Sequence, residues 1–232
     1  MIDRYSIAAP KAKIHDRFQS DVLDNYAPNY NASPTQLLPV IMHTFPKGVS
    51  TFYWGNLPKW SKNKSLSEKI INIHAESILE KSALKRGMMK NRCLIPADGF
   101  YAWKKVGKKT TIPYRFVLTD NDLFSFAGIW EEFEDDDGSE LHTFSIITTP
   151  ANALVATVQE RMPAILTPST EKIWMDRDSS ESTLMDLLAP YPAEKMSYYP
   201  VSPRILDSTI NVPSLIIPTP PADQFGNLTL FD

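Results

Sequence analysis

Runs of β-branched and aromatic residues bounded by turn formers recur along the chain. Gln36–Met42, Ser50–Trp54, Tyr114–Leu118, Ser125–Trp130 and Thr143–Thr149 each predict a strand. Trp103–Lys105 and Lys108–Thr111 flank Gly107 and predict a hairpin. Helix-compatible patterns cover Lys11–Phe18, Ala75–Glu80 continuing to Met88, Ala151–Val158, Thr170–Met175 and Ser180–Leu188, the last with Glu181 in its first turn. Glu131–Glu140, with Gly138, reads as an acidic, solvated hairpin tip. Nineteen prolines against eight glycines cut the chain into short pieces and forbid long helices. The pattern predicts a strand-rich fold with irregular connections. No linker divides it, so residues 1–217 are expected to form one domain. A polar tail, 218–232, is expected to lie on the surface or fray.

Composition changes this picture little. With 232 residues, 43% hydrophobic and 22% charged, the chain is that of a globular protein able to bury a core without staples. The single cysteine, Cys93, excludes an intramolecular disulfide and a thiolate metal cage. It lies in an apolar strand, where a thiol behaves as a small hydrophobe. The first twenty residues carry Asp3, Arg4, Lys11, Lys13, Asp16 and Arg17, which leaves no apolar core for a signal peptide. No run approaches the roughly 20 apolar residues of a membrane span. A cytoplasmic, monomeric protein is expected.

Charge is distributed unevenly. The formal net charge is −3, yet residues 59–109 hold 13 Lys/Arg against four acids, +9, which leaves −12 for the rest. Such asymmetry suits a polyanion-binding face on an acidic protein, and equally an ordinary solvated surface.

Four segments are dense in candidate chemistry. Tyr30–Gln36 is a polar turn that includes Pro34. Trp54–Trp60 places two tryptophans around a turn beside lysines. Arg92–Trp103 is rich in aromatics, and Glu160–Leu166 sets Arg161 before a strand. Aromatic rings beside cations suit single-stranded nucleic acid, because bases stack on rings while lysines track phosphates. Trp54, Phe100 and Trp103 read better as core, and Trp60 as the exposed ring. The four histidines, His15, His43, His74 and His142, share no metal-ligand spacing, so neither metal nor cofactor is expected.

In this order, the four segments resemble the SOS-response-associated peptidase family of abasic-site processing proteins. The resemblance runs from Arg4 to about Ser202. It is supported by Phe126–Trp130, Ile146–Thr149, Arg161–Leu166 and Pro200–Ser202. It implies an α+β, β-rich single domain, with a coiled, barrel-like sheet, short flanking helices and a positive cleft for single-stranded DNA. It also implies covalent capture of abasic sites by an N-terminal cysteine, assisted by an asparagine, a glutamate and a histidine. The cysteine's amine and thiol close a thiazolidine on the sugar aldehyde, and the same cysteine removes a short propeptide in some members.

Residue by residue, the resemblance breaks at the chemistry. Ile2 stands at the cysteine, Asp3 at the following glycine, Ala102 at the glutamate and Gln159 at the histidine. The asparagine is retained as Asn72, and His74 stands at an arginine. Ile2 has no thiol, Ala102 has no carboxylate, and Gln159 hydrogen-bonds without titrating. The expected function is therefore non-covalent binding of single-stranded DNA, with crosslinking and autoproteolysis lost. Arg4, Pro34, Trp60, Asn72, His74, Thr149 and Arg161 are expected to contact the DNA, and Asn72 is the one catalytic position kept. His74 would bind phosphate more strongly at lower pH. Two alternatives stand beside this reading. One is a residual lyase or peptidase using the Met1 amine, whose reference pKa is about 7.7–8.0. The other is a partner-binding module without a DNA role, with Glu131–Glu140 as its interface.

Overall fold

The computed structural model describes residues 2–55, 70–106, 110–134 and 138–221. In chain order its first elements are β1 (Tyr5–Ile7), α1 (Lys11–Phe18), β2 (Asn29–Ala32), β3 (Leu37–Met42), β4 (Phe45–Trp54), β5 (Asn72–His74) and α2 (Ser82–Lys90). Then follow β6 (Arg92–Ala97), β7 (Gly99–Val106), β8 (Thr110–Leu118), β9 (Phe124–Glu134) and β10 (Glu140–Pro150). The last are β11 (Arg161–Pro163), β12 (Ile165–Leu166), α3 (Pro168–Met175), α4 (Glu181–Asp186) and β13 (Met196–Pro200).

Pairing closes five strands into a ring. β10 runs parallel to β4, with Phe144 opposite Trp54. β4 pairs antiparallel with β3, β3 with β6, β6 with β9, and β9 returns to β10. β5, β11 and β12 extend the ring, and a second, antiparallel sheet runs β13-β8-β7-β1-β2. This is the α+β, barrel-like domain expected from the sequence.

Aromatic contacts join the two layers. Tyr5 of β1 meets Trp54 at 5.3 Å and Phe126 at 5.6 Å between ring centroids, both edge-on. Phe100 stacks on Phe116 at 5.1 Å and reaches Phe126. Trp54 and Phe100 are fully buried, as their apolar settings predicted, and the Trp54 indole donates to the Ile71 carbonyl at 2.9 Å. Cys93 is buried on β6, and desolvation pushes its thiol well above the usual range.

A buried ion pair sets the course of β1. Arg115 Nη2 donates to Asp98 Oδ1 at 2.8 Å, and Ser6 Oγ donates to the same oxygen at 2.6 Å. The Ala8 and Ala9 amides donate to the other oxygen. A Cβ on Gly99 would lie 2.7 Å from Arg115 Nε, so the residue after Asp98 must be glycine for the guanidinium to fit. β1 is thus pinned between β2 and β7, which delivers residues 2–4 to one end of the domain.

Helix ends follow local chemistry. Thr167 and Thr170 form a reciprocal cap with Pro168 in the first turn of α3, and Ser180 accepts from the Thr183 amide to start α4. The pattern-based helices differ from the structure in two places. Ala75–Met88 is not continuous: a 3-10 turn, Ala75–Ser77, precedes α2, and Lys81 is extended. Ala151–Val158 holds a single 3-10 turn, Val155–Thr157. The Ala151 amide donates to the Glu160 carbonyl and Pro150 opposes Arg161. The segment must therefore double back within one turn, and the Asn152 side chain caps it at the Val155 amide.

Two further expectations are corrected. Glu131–Glu134 belongs to β9 rather than to a loop, because antiparallel pairing with β10 continues out to Glu134 opposite Glu140. Arg92, counted with the basic face, is fully buried. Pro218 pairs with Val201, and the Thr219 amide donates to Pro200, so the chain is pinned to the fold at these two residues.

His43 is buried beside Arg92, with Nδ1 3.2 Å from the Arg92 carbonyl. Desolvation, and then the Arg92 charge, hold its pKa below the ordinary value. The unfolded chain therefore takes up a proton more readily than the folded one. Stability is expected to be full above about pH 6.5 and to fall as pH drops below it toward the folded pKa. Urea midpoints measured from pH 8 to 5 should decline, and His43→Gln should flatten that decline.

Candidate functional site

Asp3 and Arg4, just before β1, line an open cleft of about 1000 Å³. Three structural regions build its walls. The segment leading into β1 supplies Asp3 and Arg4, and β5 supplies Asn72 and His74. The β7–β8 hairpin supplies Trp103, Lys104, Lys105 and Thr111. Thr148 of β10, the 157–161 turn and Leu206 complete the lining.

Asn72 ties the cleft to the chain's first residues. Its Nδ2 donates to the Ile2 carbonyl at 2.6 Å, and its Oδ1 is buried without a hydrogen-bond partner among the described residues. Ile2 itself is fully buried in the main core. Asp3 Oδ1 accepts from the Trp103 indole N–H at 3.0 Å, and the Asp3 carbonyl accepts from Arg4 Nη1 at 2.7 Å. Arg4 Nε is also buried and unpartnered among the described residues. β5 pairs in parallel with β10, Asn72 opposite Ile146 and His74 opposite Thr148, which holds Asn72 in place.

Arg161 begins β11, and its fork is already engaged. Nη1 and Nη2 donate to the two Glu76 carboxylate oxygens at 3.2 and 2.9 Å. Nε donates to Thr148 Oγ1 at 3.2 Å, and Nη2 also to the Thr148 carbonyl at 2.7 Å. The Arg161 hydrogen bond lowers the Glu76 pKa, so the pair persists below the usual carboxylate range. Gln159 Nε2 donates to the Arg161 carbonyl at 2.7 Å, bracing the same turn.

Arg4, Asn72, His74 and Arg161 share the cleft, and Gln159 lies with them. Ala102 is fully buried on β7, one residue from Trp103. Pro34 is half-buried in the turn between β2 and β3, outside the cleft lining. Thr149 is buried, its hydroxyl donating to the Pro150 carbonyl, and its neighbour Thr148 faces the cleft instead. Trp60 and Met1 lie outside the described residues.

Sequence reasoning missed four contributors. Trp103, read as core, is a half-buried cleft wall. Lys104 and Lys105, exposed at the rim, were visible only as members of a basic run. Leu206, exposed in the last third of the chain, carried no signal.

The structure's one grouped set of metal-type donors among the described residues lies elsewhere. Glu132, Glu140 and His142 bring ligand atoms within 4.8 Å of one another on the β9–β10 ribbon. Both carboxylates are exposed, and His142 stacks on Phe52.

Residues 1–208 match the family model described as SOS response associated peptidase. The chain belongs to that family. Relatives include the abasic site processing protein YoqW of Bacillus subtilis, 36% identical over 93% of this chain and 99% of the relative. YoaM of the same organism is 38% identical over 87% and 91%. The rat abasic site processing protein HMCES is 28% identical over 84% of this chain and 66% of its own. A crystal structure of a Bacteroides thetaiotaomicron protein superposes with a TM-score of 0.80 at 31% identity, over 93% of this chain and 99% of that one. Of the positions at which the resemblance breaks, Gln159 lines the cleft, and Ile2 and Ala102 are buried next in sequence to its lining residues Asp3 and Trp103.

Proposed function

We propose that this member of the SOS response associated peptidase family binds single-stranded DNA bearing abasic sites, without capturing it covalently. The observation that carries this reading is the cleft itself. The retained Asn72 and Arg4 face it among cations, while a buried isoleucine replaces the thiol that the family resemblance implies. Without that thiol no thiazolidine closes. Without a carboxylate at Ala102 or an imidazole at Gln159, the resemblance's proton-transfer groups are missing at those positions.

Phosphate contacts fall to the cations with free donors. Arg161 spends four of its five N–H bonds on Glu76 and Thr148, so it braces the wall instead. Arg4, Lys104 and Lys105 remain. Asp3 and Glu160 line the same cleft and oppose polyanion binding, so modest, salt-sensitive affinity is expected.

Fluorescence anisotropy with a labelled single strand across a salt series tests this. Each phosphate contact contributes about 0.7 to the slope of log K against log salt. Arg4→Ala is expected to reduce the slope by about 0.7, and Lys104→Ala with Lys105→Ala by about 1.4. Slopes unmoved by all three changes would place the DNA elsewhere. The absence of salt-dependent binding would favour a partner-binding role.

A further inference from the structure

Away from the cleft, the β9–β10 ribbon gathers three metal-type donors on one face. His142 pairs opposite Glu132, and Glu140 lies two residues before His142 on the same strand. Side chains alternate along a strand, and directly opposite residues share a face, so all three project from one side of the ribbon. One ligand atom from each lies within 4.8 Å of the other two. Glu132 Oε2 is 3.3 Å from His142 Nε2. Two ligands of a tetrahedral zinc ion, each about 2.0–2.1 Å from the metal, stand roughly 3.4 Å apart, so this pair already has the spacing that the ion needs.

The imidazole sets this group apart from an acidic patch. The His142 ring stacks on Phe52 at 4.8 Å between centroids, with 14° between the planes, and meets Trp130 at 5.7 Å. Phe52 is buried and the His142 side chain is only 27% exposed, so the ring is held at the edge of the core with Nε2 toward Glu132. The site thus combines one preset ligand with two exposed carboxylates that can close on an ion arriving from solvent.

The donor set decides which ion fits. Magnesium and calcium take oxygen ligands. One imidazole with two carboxylates suits zinc and leaves a fourth position for water. No spacing motif marks these residues in the sequence, because the pairing of β9 with β10 creates the set.

We propose that Glu132, Glu140 and His142 bind one Zn²⁺ ion, which staples β9 to β10 across the ribbon. None of the three lines the cleft, so the site does not depend on DNA binding. An ion held only by the paired strands stabilises the fold in proportion to its occupancy.

The test uses the untagged full chain, freed of metal with a chelator and titrated with zinc chloride in a calorimeter. Saturable binding of one Zn²⁺ per chain at micromolar affinity is the expected result. Glu132→Gln and Glu140→Gln keep the side-chain size and remove one carboxylate each at exposed positions. Each is expected to weaken binding by at least about tenfold, no less than the loss of a partner one shell further out. His142→Gln should weaken it as much or more. His15→Gln should leave the titration unchanged, because His15 faces Asp21 at 3.7 Å without a third donor among the described residues. In thermal melts, Zn²⁺ should raise the melting temperature of the parent chain and not that of the Glu132→Gln, Glu140→Gln double variant.

Uptake of Zn²⁺ that never saturates overturns the inference. So does saturable binding that survives both glutamine substitutions, which would place the ion elsewhere. Mg²⁺ binding as tightly as Zn²⁺ would also overturn it, since the carboxylates alone would then account for the affinity.

Discussion

Restoring the residues that the family resemblance implies is expected to turn a non-covalent binder into a crosslinking one. The change combines Ile2→Cys, Asp3→Gly, Ala102→Glu and Gln159→His. A cysteine at position 2 permits removal of the initiator methionine and supplies an amine and a thiol on adjacent carbons. The amine condenses with the ring-opened sugar aldehyde, releasing water, and the thiol then adds to the imine carbon to close the ring. The scaffold for this is in place: Asn72 already holds the residue 2 carbonyl at 2.6 Å. Mixing the variant with an abasic single strand and running a denaturing gel should give a retarded band that the parent chain lacks. Ile2→Cys alone should crosslink more slowly, by about 10²–10⁴-fold, the usual contribution of positioned proton-transfer groups. No adduct from the fourfold variant would argue that the cleft is not a modified capture site.

The second large effect concerns Arg92, which has no part in the cleft. Its guanidinium is fully buried and donates to four backbone carbonyls. Two of them, Met88 and Met89, lie near the C-terminal end of α2 at 2.9 Å. The other two, Trp174 and Asp176, lie at the end of α3, both at 2.7 Å. Helix C-termini expose unpaired carbonyls that carry partial negative charge, so one cation ties down both ends. Arg92→Met keeps volume but leaves the four acceptors without their donor. A loss of roughly 3–5 kcal/mol is expected, comparable to breaking a buried ion pair. At about 2–4 °C per kcal/mol for a chain of this size, the melting temperature should fall by roughly 6–20 °C. A fall under about 2 °C in a thermal melt would contradict this role for Arg92.

Arg92 also marks the boundary of what the sequence makes legible. The strands were readable because runs of β-branched and aromatic residues bounded by turn formers survive inside Leu37–Met42 or Phe124–Glu134. The hairpin of β7 and β8 was readable for the same reason, with Val106 opposite Thr110. Parallel pairing of the three-residue β5 with β10 was not, since nothing local specifies a partner more than seventy positions away. Side-chain direction was the second blind spot. Trp103 shares an aromatic run with Phe100 and Tyr101, yet those two rings are fully buried while Trp103 is half-buried beside Asp3. Charge was the third. Arg92, Arg115 and Arg161 count as cations in the sequence, but each is committed to a carbonyl or carboxylate within the fold. Among the described residues, Arg4, Lys104 and Lys105 remain as open lysine and arginine cations on the cleft.

The positions of the substituted residues could be named from the resemblance. Their shared location could not be derived from spacing, because Ile2, Ala102 and Gln159 lie on three separate stretches of chain. The fold unites them. β1 lies against β7, with Tyr5 opposite Phe100, and the turn before β11 reaches the cleft that Asp3 and Arg4 also line.

The most direct test of non-covalent lesion binding is one incubation of the unaltered chain with an abasic single strand, divided between a native and a denaturing gel. A shift in the native gel at low salt that disappears on denaturation is the predicted result. A band that survives denaturation would mean that covalent chemistry persists without the residue 2 thiol, contradicting the account.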